Sequence, residues 1–432
     1  MARSTNTWIA QSLTNLLPRR RIVRLAAKLG VVRRRRKLDI VALVHCLVLG
    51  FSAGERRTLT GLRRAYVRTT GTRLAPSSFH ARFSEELTSL MRTLSLEALQ
   101  RQARMRPRLK GVFAPFVEVL AVDSSLLRLH HALEPFYPSV WRNHTKASAK
   151  LGVVINVIGR GAKTVAVTHG SRHDVHLLKA GPWVKGRLLI FDLGFYRATL
   201  FDEIRQQGGY FLCRMRKQSN PVIIRSYRRE HQHLRGQKLK DAQHLVGPDT
   251  LDVEGEVGYI IKRQKHKHYT VRFRFVTLYN EELGQWHRYV TNLPTTMMKA
   301  RHFSSVYAAR WEVELLFREL KSVYRIDQMP SGNRHVTETL IYAALLTLTL
   351  NRRLYRELIR RHKLDPQRLP LDRWTILFAA VADELLVLSL HRRDRTWRAR
   401  RIQSFFRAEA TDPNRARIPL PYRAQQGLYL RA

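Results

Sequence analysis

The chain has 432 residues, with 78 Lys and Arg against 33 Asp and Glu, a formal net charge of +45. A field of that sign gathers polyanions, and nucleic acid is the polyanion that rewards it by counterion release. Two cysteines, and no apolar run near the ~20 residues of a span, exclude a disulfide scaffold and a membrane helix. At roughly 100–200 residues per domain the length accommodates two to four domains.

Residues 1 to 110 are expected to be helical. Apolar positions recur at three and four residues through Trp8, Leu13 and Leu16, then Ile22, Leu25, Ala26 and Leu29. A basic run, Arg33 to Lys37, precedes an apolar helix from Ile40 that holds Cys46, read with Cys213 as a buried thiol. A helix over Leu59 to Arg68, a break at Thr69-Thr70-Gly71 and a new start at Pro76 are consistent with a helix-turn-helix DNA reader or with a plain helical hairpin. From 112 the pattern changes to strands. Phe116 to Val122 ends at Asp123. Leu151 to Ile158 and Thr164 to Thr168 flank a Gly159-Arg160-Gly161 turn. Leu188 to Phe191 ends at Asp192, a helix covers Arg197 to Gln207, and Tyr210 to Met215 is a fifth strand. His173 and Asp174 lie near this core, Asp174 being placed as a helix N-terminal residue. Residues 217 to 293 are basic and β-rich and interrupt the α/β order as an insertion. A helix over Ala300 to Tyr324 follows, then helices over Val336 to His362 and Arg373 to Leu390, and a basic tail.

Phosphodiester chemistry by paired divalent cations needs a few carboxylates on rigid elements, because such cations prefer oxygen ligands. Asp123 and Asp192 stand where apolar strands run out; an Asp there is also ordinary turn chemistry. The helix that follows the insertion discriminates further. Taking Tyr307 as zero at about 100° per residue, Arg310 falls at roughly −60°, Glu314 at roughly −20° and Lys321 at roughly −40°. Glu312 and Glu319 fall at roughly +140° and +120°, on the far side. The phase selects Glu314, and exchange of Glu312 or Glu319 for Gln is expected to leave any such phosphodiester chemistry near wild-type. The bland alternative is a solvated face with an Arg310–Glu314 ion pair.

The spacing Tyr307-x2-Arg310-x3-Glu314-x6-Lys321 resembles the Tyr-Arg-Glu-Lys signature of a large group of bacterial insertion-sequence transposases of the DDE type. Val122-Asp123-Ser124-Ser125-Leu126 and Asp192-Leu193-Gly194-Phe195-Tyr196 resemble that family's first and second Asp motifs, although Leu193 replaces a common Arg. Tyr289-Val290-Thr291-Asn292-Leu293 resembles the strand before the signature helix. The resemblance covers residues 115 to 330. It implies a ribonuclease-H-like α/β core (111–216 and 294–330) interrupted by a β-rich insertion (217–293), with a helical DNA-binding region (1–110) and C-terminal helices (331–432). It implies that Asp123, Asp192 and Glu314 hold two Mg²⁺, replaceable by Mn²⁺, for cleavage at transposon ends and strand transfer to target DNA. It implies that Tyr307, Arg310 and Lys321 contact double-stranded DNA, that the protein acts as a homodimer on paired ends, and that it works in the bacterial cytoplasm with the chromosome. Trp286, with His287 competing, is the candidate for an aromatic that fills the space of a flipped base. A nuclease without strand transfer, a catalytically inactive DNA-binding descendant, and an RNA-binding structural protein are the alternatives.

Overall fold

A computed structural model describes residues 8–32, 38–50, 58–103, 109–140, 145–158, 161–261, 267–281, 283–329, 331–365, 368–391 and 393–411. The basic run Arg33 to Lys37, the turn residues Gly159 and Arg160, and the end of the basic tail lie outside them.

The N-terminal region forms α1 (Trp8–Leu16), α2 (Arg19–Lys28), α3 (Ile40–Leu49), α4 (Leu59–Thr70), α5 (Pro76–His80) and α6 (Glu85–Ala103). The Asp39 carboxylate accepts from the Val41 and Ala42 N–H groups, which fixes the start of α3. All ten residues of α3 are buried, so this helix is apolar around its whole circumference and needs partners on every side. α5 has only five residues, a single turn with Phe79 buried beneath it.

The central sheet comprises β1 (Glu118–Arg128), β2 (Ser148–Asn156), β3 (Gly161–His169), β4 (Arg187–Phe191), α7 (Ala198–Gln206), β5 (Tyr210–Arg214), β6 (Val222–Ser226), α8 (Leu239–Val246), β7 (Leu251–Ile261), β8 (Lys267–Asn280) and β9 (Gln285–Thr291), with α7 and α8 packed on it. The strand order is β3-β2-β1-β4-β5-β9-β8-β7-β6. β1, β4 and β5 are parallel; the other neighbours are antiparallel. Three antiparallel strands followed by two parallel ones, with a helix between the last two, is the ribonuclease-H-like arrangement. The strands of the basic segment extend the same sheet, because β9 pairs with β5 through Leu212–Thr291, Cys213–Val290 and Arg214–Tyr289. β6 and α8 were not anticipated from sequence; Asn220 and Gly236 punctuate a stretch too polar to show periodicity.

After β9 come α9 (Phe303–Ala308) and α10 (Trp311–Ser322), then α11 (Arg334–His362), α12 (Leu371–Ala380), α13 (Ala382–Leu390) and α14 (Arg395–Glu409). The expected continuous helix over 300–324 is therefore divided. Around the division the N–H groups of Ala309, Arg310, Glu312 and Val313 bond to carbonyls three residues back, a local 3₁₀ tightening. The expected 373–390 helix divides at Val381, where Asp383 and Glu384 favour a new helix N-terminus. α14 occupies the start of what reads as tail.

The C-terminal helices do not stand apart from the N-terminal ones. α6 lies along α11, α3 packs on α11 and α13, and α1 on α11, α13 and α14. The Thr347 hydroxyl donates to the Val48 carbonyl at 2.6 Å, across 299 residues of chain. This helical body and the inner face of the sheet share one core; the outer face has its own, under α7 and α8. Buried Arg274 of β8 ties the basic segment to the helices that follow it. It forms a bidentate pair with Asp252 of β7 and donates to the carbonyls of Leu293 and Met298, in the loop leading to α9.

Candidate active site

β1 does not end at Asp123, as its apolar run suggests, but continues to Arg128. The parallel pairing of β1 with β4 ends at Val122–Phe191, and the next residue on each strand is an acid, Asp123 and Asp192. Neighbouring strands lie about 4.8 Å apart, so the two aspartates stand side by side where the parallel ladder of two central strands ends. A charge is tolerated in mid-strand because β1 has just lost a neighbour. Period-two alternation places both on the sheet face whose core includes Ala121, Ile190, Val313, Leu316 and Leu320. The last three are on α10, which therefore covers that face.

α10 brings Glu314 to the same place. The Arg310 guanidinium donates to Asp123 Oδ2 at 3.1 Å and to Glu314 Oε1 at 2.5 Å, bridging two of the three acids. Burial pushes the Asp123 carboxyl up to about 6; the Ser124 N–H and Arg310 oppose that rise, and the charges of Asp192 and Glu314 add to it. Despite burial, the Arg310 guanidinium is held above its ordinary range by its neighbours Tyr307, Glu314 and Asp192. Asp192 and Glu314, from separate chain segments, thus both act electrostatically on Asp123. An oxygen-only donor set of this kind fits a hard divalent cation. Among the described residues, no three potential ligands yet converge closely enough to hold a metal ion. The Arg310 side chain, itself a cation, occupies the space between Asp123 and Glu314.

Tyr307 is buried, its ring 5.4 Å from that of Tyr289, with the Arg214 and Arg310 guanidinium groups at 5.4 Å and 5.7 Å from its centroid. Burial raises its hydroxyl well above the ordinary phenol range. Lys321 is half-buried two turns along α10, and that burial lowers its ammonium pKa; Asp327 and Arg128 are the charges it feels. Trp286 packs on Tyr279 at the free end of β9. By alternation its indole lies on the opposite sheet face from Tyr289 and Tyr307, whereas His287 lies on the Tyr307 side, 3.4 Å from Arg214.

Two sequence expectations need correction. Glu312 and Glu319 do lie away from the acids, but both are buried. Glu319 pairs with Arg352 of α11 and accepts from Thr375 of α12 at 2.9 Å, so it holds helices together and is no neutral control. Asp174 begins a 3₁₀ turn over Asp174–His176, yet its side chain caps nothing. Its Oδ1 accepts from the Ser124 hydroxyl at 2.6 Å and lies 2.9 Å from Lys150 Nζ. Sequence reasoning missed this because nothing local pairs Asp174 with residues 24 and 50 positions away. Arg214, at the end of the third parallel strand, was missed too, although its strand-end position was visible.

A sheet of this order, with acids where the pairing of two neighbouring parallel strands runs out, places the protein in the ribonuclease-H-like class. A family model described as "Transposase DDE domain" matches residues 115–350, more than half of the chain, and the chain belongs to that family. It is a DDE-type DNA transposase, an enzyme of a family that cleaves DNA with divalent metal ions. It is 20% identical over 370 residues to the transposase for insertion sequence element IS231F of Bacillus thuringiensis subsp. israelensis, covering 76% of this chain and 75% of that one. It is 22% identical over 365 residues to the transposase for IS231E of B. thuringiensis subsp. finitimus, with 76% and 75% coverage. Similarity to the transposase for IS1151 of Clostridium perfringens is 18% over 325 residues, covering 68% and 69%. A piggyBac transposase synaptic complex with hairpin DNA aligns over 92% of this chain and 85% of that one, at 8% identity and a TM-score of 0.49. Among the described residues no helix is long and apolar enough to cross a membrane.

Proposed function

We propose that Asp123, Asp192 and Glu314 are the catalytic acids and hold two Mg²⁺ ions, with Mn²⁺ able to substitute, for cleavage at transposon ends and strand transfer to target DNA. The observation that supports this most is the Arg310 bridge between Asp123 and Glu314 beside Asp192. When bound, the ions supply Lewis-acid activation of the attacking oxygen and charge stabilisation at the leaving one. The chain's own groups do the rest. Asp123 is a carboxylate above pH about 6, and so is competent as a ligand at neutral pH. The planar guanidinium of Arg310 recognises carboxylate and phosphate with the same fork of donors, so a DNA phosphate is able to take over its bonds. Lys321, two turns further along α10, extends the same stripe of cations. Tyr307 backs Arg310 with an aromatic face rather than reaching into solvent. These four residues are the Tyr-Arg-Glu-Lys signature in this chain.

The wider assembly belongs to the same proposal. Residues 1–110 recognise the transposon ends, α2 presenting Arg20, Arg24 and Lys28 at the surface, and a homodimer holds the paired ends. Trp286 or His287 takes the place of a flipped base, and His287 shares the face of Tyr307. Deleting residues 1–107 would strip α3 and α6 from α11, so surface variants in α2 are the sound probe of end recognition.

The decisive experiment uses labelled DNA bearing the inverted repeats that flank the gene, with full-length protein and Mg²⁺. Wild-type protein is expected to cut at the end and to join the freed 3′-hydroxyl to a target plasmid, while Asp123→Asn, Asp192→Asn and Glu314→Gln bind the end without cutting it. Cutting without any joined product would make the protein a nuclease only. Cutting by the acid variants would remove the triad.

A further inference from the structure

The two aspartates face a positioning problem that the sheet alone does not solve. Backbone pairing between β1 and β4 stops at Val122 and Phe191. From there β1 continues beside β2, while the chain after Asp192 turns away through a 3₁₀ turn over Leu193–Phe195. Asp123 and Asp192 therefore project just where the ladder that aligns their strands has ended.

Asp174 fills the gap from the opposite face of the sheet. Its Oδ1 accepts from the hydroxyl of Ser124, the residue after Asp123, at 2.6 Å. The Ser124 N–H in turn donates to Asp123 Oδ1 at 2.7 Å. Its Oδ2 lies against Gly194, two residues after Asp192; a Cβ at Gly194 would stand 2.8 Å from that oxygen, closer than side chains tolerate. One carboxylate thus touches both aspartate-bearing segments. Lys150 of β2, nearly buried, lies 2.9 Å from Oδ1 and also donates to the Arg172 carbonyl, which pins the loop that carries Asp174. Asp174 keeps 28% of its side-chain surface exposed, and its pair with Lys150 holds the carboxylate in place.

We propose that Asp174 is a positioning residue of the active site, which sets the separation of Asp123 and Asp192 through Ser124 and Gly194 and thereby the affinity of the site for divalent cation. The proposal rests on the assignment of Asp123 and Asp192 as metal ligands. Asp174 itself is braced by Lys150 on the far side of the sheet and is not a ligand. Groups that orient ligands in this way commonly govern metal affinity by about 10–100-fold.

The test measures Mn²⁺ binding to full-length, DNA-free protein by electron paramagnetic resonance, and the Mn²⁺ concentration that half-saturates cleavage of labelled transposon ends. Asp174→Ala is expected to weaken Mn²⁺ binding by about 10–100-fold, the larger change falling on half-saturation rather than on maximal rate. Asp174→Asn and Ser124→Ala, milder changes that carry the test if Asp174→Ala fails to fold, are expected to weaken it less and in the same direction. Gly194→Ala alone is also expected to weaken binding, because its methyl group meets Asp174. In the double variant Asp174→Ala/Gly194→Ala that obstacle is gone, so the second change is expected to add little. Wild-type Mn²⁺ affinity in Asp174→Ala, or Asp174→Asn if Ala is insoluble, overturns the proposal, as do independent multiplicative effects of the two substitutions. Asp123→Asn is measured alongside. If it too binds Mn²⁺ normally, the ligand assignment fails rather than the brace alone.

Discussion

α10 contributes a glutamate to an arginine–glutamate pair on each of two sides, Glu314 with Arg310 at its N-terminus and Glu319 with Arg352 of α11, and the fates of the two pairs differ. On the sheet side, Arg310 and Glu314 keep 15% and 32% of their side-chain surface exposed. On the side facing α11 and α12, Arg352 and Glu319 keep 4% and 9%. Burial raises the Glu319 carboxyl, and Arg352 and the Thr375 hydroxyl oppose that rise. Similar chemistry serves two ends. Where both ions are sealed, the pair is a brace that resists any exchange. Where one carboxylate stays open beside two others, the pair can be traded for a different cation.

Substitutions on the two sides are expected to separate cleanly. Glu314→Gln is expected to reduce end cleavage by about a thousandfold or more, as removal of one member of a catalytic unit does, with urea unfolding close to wild-type. Unfolding shifted as much as cleavage would mean the two sides do not differ. Glu319→Ala is expected to show the converse. It leaves Arg352 charged and buried without its partner, which costs about 3–5 kcal/mol, read as an earlier urea midpoint. Whatever protein stays folded at low temperature is expected to cut at near wild-type rates.

The effect of pH sharpens the comparison further. Asp123 titrates near 6, above its ordinary 3.8, chiefly because it is buried. Cleavage at limiting metal is therefore expected to rise as pH passes through about 6. Without metal the sign for stability is opposite. A carboxyl raised in the folded state contributes stability that is fully present below 3.8 and lost as pH rises through about 6. Following the stability difference between wild-type and Asp123→Asn across that window measures it. Arg310→Ala removes an interaction that lowers Asp123, so the midpoint is expected to move up; a midpoint unchanged by Arg310→Ala would uncouple the two. The smallest expected effect is that of Lys321→Ala, on the same stripe but away from the acids. It should weaken end binding and flatten the salt dependence by about one charge, with cutting intact at saturating protein.

What was legible in the sequence follows from range. Helical phase is local, so the separation of Glu314 from Glu312 and Glu319 was readable. So were Asp123 and Asp192, because a charge after an apolar run is a local event. What the far face of α10 packs against was not readable, since Arg352 and Thr375 lie in helices whose placement no periodicity encodes. The Asp174 brace was hidden for the same reason: its partners are Ser124 and Lys150, on two different strands. The segment 217–293 read as an insertion because its composition is distinct. Composition says nothing about edges, and β9 still had a backbone edge to pair with β5.

The burial of α3 against α11 and α13 has a consequence during synthesis. A ribosome adding about 5–20 residues per second makes α11 roughly 15–60 s after α3. For that interval ten consecutive buried-type residues, Ile40 to Leu49, have none of their late-made partners, and the nascent chain presents a sticky helix to whatever binds such surfaces. Products truncated before α11 would leave that helix uncovered and should aggregate rather than persist as DNA-binding fragments. Only a chain translated almost to its end can close its own core.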